Sequence, residues 1–124
     1  MLDASAILAI ALEEQGYESL LGPAFAESVA STVNLAEAQT RLLRLGSPPR
    51  EAWQSARSTV HTSVPFDDEQ AQLTANLFPQ TRALGLSLGD RACLALGMTL
   101  NVPVYTADKA WKKLRLSIPI HIFR

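Results

Sequence analysis

Short apolar runs alternate with longer helical patterns along this sequence. A very short strand ends at Leu2, and four further runs read SVAS, SVPF, VPVYTA and IPIHIFR. Segments with apolar residues at helical spacing separate these runs. Strands that alternate with helices are joined by crossover connections, which make neighbouring strands parallel. The sequence therefore predicts an α/β fold with a mostly parallel central sheet flanked by helices.

The helical segments carry recognisable start and stop signals. The first begins near Ser5 and is expected to stop at Gly16, and Gly46 is expected to end the helix after SVAS. A further helix is predicted over residues 88–100, ended by Asn101. YESLLGPAFAE is expected to form a second short helix or a turn, broken at Gly22 and Pro23. The other helical segments are SPPREAWQSARSTVHT, DDEQAQLTANLFPQTRAL, which Pro79 bends or interrupts, and DKAWKKLRL.

Length, charge and cysteine content narrow the class of protein. The 124 residues contain no repeat and no linker, so we expect one domain over residues 1–124. A net charge of −1 argues against a protein held to nucleic acid mainly by phosphate neutralisation. The single cysteine, Cys93, excludes an intramolecular disulfide and favours a reduced, cytoplasmic setting. No apolar run reaches about 18 residues, so no membrane span is expected.

Four acidic residues follow predicted strands on the same side of the sheet. Asp3 follows Leu2, and Glu37 lies in the first turns of the helix after SVAS. Asp90 stands at the start of the helix over residues 88–100, and Asp108 follows VPVYTA. Because the carboxyl ends of parallel strands meet at one edge, we expect these carboxylates to project toward a common site.

Helix capping is the simpler interpretation of each acid alone. Asp3, Asp90 and Asp108 can each cap a helix, a contribution of about 1 kcal/mol, and Asn34 with Glu37 fits a capping box. Capping does not explain why four acids gather without basic partners, since ionised carboxylates held close together repel one another. A bound cation removes that cost.

The residue types favour a hard divalent cation. Mg²⁺ and Mn²⁺ prefer carboxylate oxygens, whereas zinc prefers histidine or cysteine, and His61 and His121 lie outside the acidic segments. A carboxylate-bound Mg²⁺ with open water positions suits hydrolysis of a phosphodiester. The sequence therefore predicts a metal-dependent phosphodiesterase.

Four short motifs contain the acidic residues: LDASA at 2–6, SxxNxxE at 31–37, LSLGDRACLALG at 86–97 and TADKAW at 106–111. Together they resemble the motifs of PIN-domain ribonucleases, in particular the VapC-like toxins of bacterial type II toxin–antitoxin pairs. They occur in the family's order and span nearly the whole chain. The resemblance implies a three-layer PIN-like domain and an Mg²⁺-dependent endoribonuclease, with Mn²⁺ as a substitute, that leaves 5′-phosphate and 3′-hydroxyl ends. It also implies inhibition by a VapB-type antitoxin, a homodimer, and a substrate such as tRNA or rRNA.

The resemblance also implies roles for individual residues. Asp3, Glu37, Asp90 and Asp108 correspond to the catalytic, metal-binding acids. The supporting positions are the hydroxyls of Ser5 and Thr106, the amide of Asn34 that orients the site, and Arg91, which is expected either to contact the RNA backbone or to pair with an acid of the site. Trp111 is expected to pack its short helix onto the sheet, and the basic residues within 109–115 form either a solvated face or a phosphate-guiding patch.

Two other functions stay open on the sequence alone. Asp67 and Asp68 after SVPF, with Thr106 and Lys109 later, are also typical of the acidic pocket, threonine and lysine of a receiver domain. In this chain the acidic pair comes mid-chain rather than after the first strand, which counts against that interpretation. A catalytically silent PIN-like interaction domain is the other alternative, and the complete set of acids argues against it.

Overall fold

The computed structural model describes all residues, 1–124, and contains six α-helices and four β-strands. Short 3₁₀ segments at Tyr17–Leu20, Pro23–Phe25, Arg82–Leu84 and Lys109–Lys113 connect some of these elements. No helix is long and apolar enough to cross a membrane. In chain order the elements are α1 (Ala4–Leu12), β1 (Val29–Ser31), α2 (Thr32–Arg44), α3 (Pro49–Arg57), β2 (Thr62–Val64), α4 (Asp68–Asn76), α5 (Phe78–Thr81), α6 (Leu88–Leu100), β3 (Val104–Thr106) and β4 (Ile120–Ile122).

The N-terminal residues lie between two pairs of parallel strands. β1 pairs with β2 and β3 pairs with β4, both in parallel. Leu2 forms a parallel bridge with Tyr105 of β3 and donates its backbone N–H to the Val29 carbonyl of β1. The spatial order is therefore β2, β1, residues 1–3, β3, β4. Where a very short strand was expected, Leu2 forms a single parallel bridge, and the α/β fold with parallel strands is confirmed.

Helices cover both faces of this sheet. Successive residues of a strand point to opposite faces, and Leu2 packs in a cluster with α1, α2 and α3 while Met1 packs in a second cluster with α6. Trp111 and Cys93 are fully buried in the second cluster, as expected for packing residues. The result is three layers, helix on sheet on helix.

Most element boundaries agree with the sequence predictions. α6 spans Leu88–Leu100 and ends at Asn101, whose φ of 52° gives the left-handed conformation that asparagine tolerates. The helix containing Pro79 is interrupted after Asn76, so that α4 and α5 are separate. Two predictions were wrong. α1 ends at Leu12 rather than at Gly16, because Glu13 already adopts a positive φ, and the segment after Asp108 is 3₁₀ rather than α-helical.

The expected capping box of Asn34 and Glu37 was also wrong. Ser31 at the end of β1 caps α2 by accepting the Val33 N–H through its hydroxyl. Asn34 is therefore inside the helix, and its side chain is free for long-range contacts. This shift places Glu37 in the second turn of α2, where its carboxylate accepts a hydrogen bond from Asn34.

Candidate active site

Asp3 is the best-anchored carboxylate of the site. It lies between residue 2 of the central strand and α1, and it is only 5% exposed. Its Oδ1 accepts hydrogen bonds from the Ser5 hydroxyl (2.7 Å) and the Ala6 N–H (2.8 Å), which caps α1. Its Oδ2 accepts from the Thr106 hydroxyl at 2.6 Å. The capping interpretation of Asp3 is correct, and the same carboxylate is also tied to the end of β3.

The two hydroxyl residues connect Asp3 to the loop after β3. The Thr106 hydroxyl donates to Asp3 and accepts the backbone N–H of Asp108 at 3.0 Å. The Ser5 hydroxyl donates to Asp3 and accepts the N–H of Ala107 at 2.9 Å. Both hydroxyls therefore lie against the candidate site, and each fixes the loop that carries Asp108.

Glu37 approaches the site from α2 and rests on a glycine of α6. The Asn34 amide, 1% exposed, donates to Glu37 Oε2 at 3.2 Å and to the Gly89 carbonyl at 3.0 Å. A Cβ atom at Gly89 would overlap the Glu37 carboxylate. The absence of a side chain at Gly89 is thus what lets this carboxylate lie beside α6. The Asn34 Oδ1 is buried and has no hydrogen-bond partner.

Asp90 and Asp108 each cap the start of a helical segment with one carboxylate oxygen, which leaves the other oxygen available to bind a ligand. Asp90 is the third residue of α6 and accepts the Ser87 N–H through Oδ2, in a capping box with the Ser87 hydroxyl. Asp108 caps the 3₁₀ segment by accepting the Ala110 N–H through Oδ1. Asp90 Oδ1 and Asp108 Oδ2 make no hydrogen bond. Capping and a metal role are therefore compatible at both positions.

Burial and neighbouring carboxylates raise the pKa values of Asp3 and Glu37. Burial is the main cause that raises the pKa of Asp3; the Asp90 carboxylate adds to the rise, and the hydrogen bonds from Thr106, Ser5 and Ala6 oppose it. Burial also raises the pKa of Glu37 most, opposed by the hydrogen bond from Asn34 and reinforced by Asp90 and Asp3. Asp3, Glu37 and Asp90 come from three separate segments of the chain. Without the neighbouring carboxylates, Asp3 and Glu37 would each have a lower pKa and would ionise more readily.

The acids do not already form a closed set of metal ligands. No three histidine, cysteine, aspartate or glutamate side chains lie in an arrangement that could hold one ion together. Asp108 is exposed and is not among the groups that shift the pKa of Asp3 or Glu37. Glu37 lies against Gly89, the residue before Asp90, and Thr106 connects Asp3 to the loop that carries Asp108. The metal role of the four acids remains a prediction.

Arg91 is placed differently from what the sequence led us to expect. Its guanidinium donates to the Thr74 carbonyl at 3.1 Å and lies 5.5 Å from the centre of the Phe78 ring. It forms no ion pair, because the one salt bridge of the protein joins Arg124 to Glu14. The expected pairing with an acid of the site was wrong: the side chain extends toward α4 and α5, where it helps hold these helices to α6.

The residues that would form a receiver-domain pocket or a histidine metal site make other contacts or lie apart from one another. Asp67 caps α4 by accepting the Gln70 N–H at 2.9 Å, and Thr106 is bonded to Asp3 rather than to this acidic pair. His121 stacks on Tyr105, and His61 is exposed after the turn that follows α3. No receiver-type pocket and no histidine metal site forms.

Sequence reasoning missed two contributors to the site. Gly89 supplies the space for Glu37, and the signal was a glycine directly before Asp90 in the first turn of a helix, where glycine is otherwise unfavourable. Ser87 positions Asp90, and the signal was a serine three residues ahead of the acid. Neither signal identifies its partner, since Glu37 is more than 50 residues away in the sequence.

Comparisons with known proteins identify the family and the fold of this chain. The family model described as "PIN domain" matches residues 1–116. The chain is also similar to a crystal structure of a member of the VapBC family of toxin–antitoxin systems, VapBC-5 from Mycobacterium tuberculosis. That match has a TM-score of 0.58 and 24% sequence identity, and it covers 99% of this chain and 95% of the other. At this identity the match demonstrates a shared fold. The comparison with curated proteins gave no match.

Proposed function

This chain belongs to the PIN-domain family, and from that premise we propose that it is an Mg²⁺-dependent endoribonuclease of the VapC-like toxin type. The observation that carries the proposal is the placement of three acids from separate segments at the carboxyl edge of the parallel sheet: Asp3 is bonded to Thr106 at the end of β3, and Glu37 lies against Gly89, the residue before Asp90. These acids come from different elements, and the protein offers no cationic side chain that pairs with them. A divalent cation is the partner that such a group requires.

The donor set fits a hard cation such as Mg²⁺ or Mn²⁺. Every candidate ligand is a carboxylate, and Glu37, Asp90 and Asp108 each have one oxygen without a hydrogen bond. Gly89 leaves room for the Glu37 carboxylate at the centre of the site. We propose that Asp3, Glu37, Asp90 and Asp108 hold the ion, with Mn²⁺ as a possible substitute.

Residues of this chain orient the carboxylates of the site and limit the access of bulk water to it. When bound, the cation lowers the pKa of a water and stabilises negative charge on a phosphodiester and its leaving oxygen. Ser5 and Thr106 hold the Asp3 carboxylate in one orientation. Asn34 holds Glu37 against α6. The burial of Asp3 and Asn34 keeps bulk water from one side of the site, which strengthens the electrostatic interactions there.

The partners follow from the same proposal. The similar crystal structure is described as a member of a toxin–antitoxin system, and by analogy we propose that a VapB-type antitoxin inhibits this protein. The substrate class is RNA, with tRNA and rRNA as the candidates, and we propose that the protein is a homodimer acting in the cytoplasm. We propose that hydrolysis leaves 5′-phosphate and 3′-hydroxyl ends, and that Asp3, Glu37, Asp90 and Asp108 would hold the ion that activates the attacking water.

Cleavage of RNA in the presence of Mg²⁺ and of EDTA tests this function. We expect Mg²⁺-dependent cutting by the wild type, and a loss of at least about a hundredfold in Asp90→Asn, because the lost acid removes several kcal/mol of charge stabilisation. Asp68→Asn is the matched control, since Asp68 lies in the first turn of α4 outside the cluster. Equal cleavage by all three proteins, or unchanged cleavage in EDTA, would contradict the proposal.

A further inference from the structure

A basic stripe runs along α2 from the candidate site. Glu37, Arg41 and Arg44 follow one another at spacings of four and three residues, which places them on one side of the helix. Together with Val33, Ala36 and Thr40 they line a shallow open groove of about 460 Å³. Glu37 lines this groove and also belongs to the acidic cluster, the group of carboxylates that comprises Asp3, Glu37 and Asp90. The groove and the site are therefore continuous.

The two arginines have no acidic partner in the protein. Both side chains are exposed, neither makes a side-chain hydrogen bond, and the one salt bridge lies at the C-terminus between Arg124 and Glu14. Their position in the last turns of α2 is favourable for cations because of the helix dipole. The dipole does not account for their alignment with Glu37 or for the groove between them. Two unpaired guanidinium groups beside a site for phosphodiesters are suited to bind phosphates.

We propose that Arg41 and Arg44 bind the backbone phosphates of a single-stranded RNA segment next to the scissile phosphate. The inference rests on the proposed endoribonuclease function and identifies where its substrate lies. Seven residues of α-helix cover about 10 Å from Glu37 to Arg44, so the arginines contact nucleotides on one side of the cut. Val33 and Ala36 form a small apolar floor that can contact a ribose or a base.

A single strand fits this groove better than an acidic protein segment. The groove is open and begins at Glu37, whose negative charge repels an acidic peptide, whereas an RNA strand must reach these acids to be cut. The whole chain has a net charge of −1, so the affinity for RNA depends on local contacts of this kind. Unpaired RNA also exposes its bases and backbone for such contacts.

Steady-state cleavage of a single-stranded RNA oligonucleotide tests the inference. We expect the double variant Arg41→Gln/Arg44→Gln to raise KM by about tenfold with little change in kcat, because the arginines bind the substrate equally before and during the reaction. The slope of log KM against log salt concentration should decrease by about 1 to 1.4, the value for two phosphate contacts on a single strand. Arg82→Gln, the same change at an exposed arginine outside the groove, should leave both quantities unchanged.

Binding measured without cleavage separates this inference from the proposed function. Fluorescence anisotropy of the same RNA with Asp90→Asn in EDTA reports affinity whether or not the protein cuts RNA. Weaker binding on adding the two glutamines supports the inference even if no cleavage is found. Equal affinity with and without the arginines, an equal loss in Arg82→Gln, or arginine-dependent binding of an acidic peptide in place of RNA would overturn it. Circular dichroism should show an unchanged total helix content in each variant.

Discussion

A carboxylate buried beside other carboxylates reduces stability, and Glu37 is the residue at which this cost can be measured. Burial and the acids Asp90 and Asp3 raise its pKa. The folded state therefore takes up a proton at higher pH than the unfolded state, and stability falls as pH rises through the raised pKa. At neutral pH the ionised Glu37 destabilises the metal-free protein.

Glu37→Gln should accordingly raise the thermal midpoint in EDTA at pH 7. Glutamine can still accept the hydrogen bond from Asn34, so the main change is the lost charge. We expect an increase of about 1–3 °C, which is small because the group is half exposed and screened by solvent. The difference should shrink as pH falls toward 4.5, the ordinary pKa of glutamate, because the wild type then becomes protonated too.

In millimolar Mg²⁺ the wild type should have a higher thermal midpoint than Glu37→Gln, the reverse of the order in EDTA. An ion that binds the folded state stabilises it by mass action, and the wild type has the complete set of acids, so its midpoint should rise more than that of Glu37→Gln. Glu27→Gln, at an exposed acid in the turn before β1, should show neither effect. A variant less stable than the wild type in EDTA at pH 7 would contradict the account of mutual repulsion.

At the same scale, the acids could be predicted from the sequence but their contacts could not. Asp3 and Asp108 follow strands, and parallel strands bring such residues to one edge whatever the details. Asn34 looked like a cap because its spacing to Glu37 fits that motif. Its actual role depends on the carbonyl of Gly89, 55 residues away, and no local pattern encodes that contact. The expected pairing of Arg91 with an acid was wrong for the same reason, since Phe78 and Thr74 of other helices determine the direction of its side chain.

Among the elements, α6 best shows how one helix serves both core and site. Its bounds were predicted from the sequence, and its C-terminal end has a local signal in Asn101. Its two glycines look alike in the sequence but face different surroundings. Gly89 faces the Glu37 carboxylate, whereas Gly97 faces Val104 and Ile118 of the core. This difference depends on the packing of the helix, and it can be tested.

Replacing each glycine by alanine should distinguish an effect on the candidate active site from an effect on the stability of the fold. A Cβ at position 89 meets the far end of a flexible side chain, so Gly89→Ala should displace Glu37 at little cost in stability, helped by the better helix propensity of alanine. We expect Gly89→Ala to keep its thermal midpoint in EDTA and to lose the stabilisation by Mg²⁺ and at least about tenfold in RNA cleavage.

Gly97→Ala should behave in the opposite way. Its Cβ would lie 2.6 Å from Val104 Cγ2 and 3.0 Å from Ile118 Cδ1, and overpacking of a core typically costs about 1–3 kcal/mol. Stabilisation by Mg²⁺ should persist in this variant, because the acidic cluster is not contacted. Full cleavage and a normal Mg²⁺ response in Gly89→Ala would show that Glu37 does not need its place on α6.

For the whole molecule, the three N-terminal residues connect two halves of the core. One buried cluster is built mainly from residues 2–60 and the other from residues 77–118 together with Met1. Leu2 bonds to β1 through Val29, and Asp3 and Met1 bond to Tyr105 of β3. The sheet is therefore continuous only through this segment. The sequence predicted a short strand at this point, and the helix-strand alternation predicted the layers, but the division of the core follows only from the packing.

Leu2→Ala tests whether the two clusters unfold together. The side chain is 1% exposed, and replacing a buried leucine by alanine typically costs about 2–5 kcal/mol through lost burial and a residual cavity. Because the strand that carries it joins both halves, we expect hydrogen exchange to show equal losses of protection in α2 and in α6. Leu12→Ala, a matched change at a leucine that is 39% exposed, should change protection by less than about 0.5 kcal/mol. If α2 lost protection while α6 kept it, the halves would be independent, and the acids that meet between them, Asp3 and Glu37 from one half and Asp90 from the other, could not be held in place by a single cooperative fold.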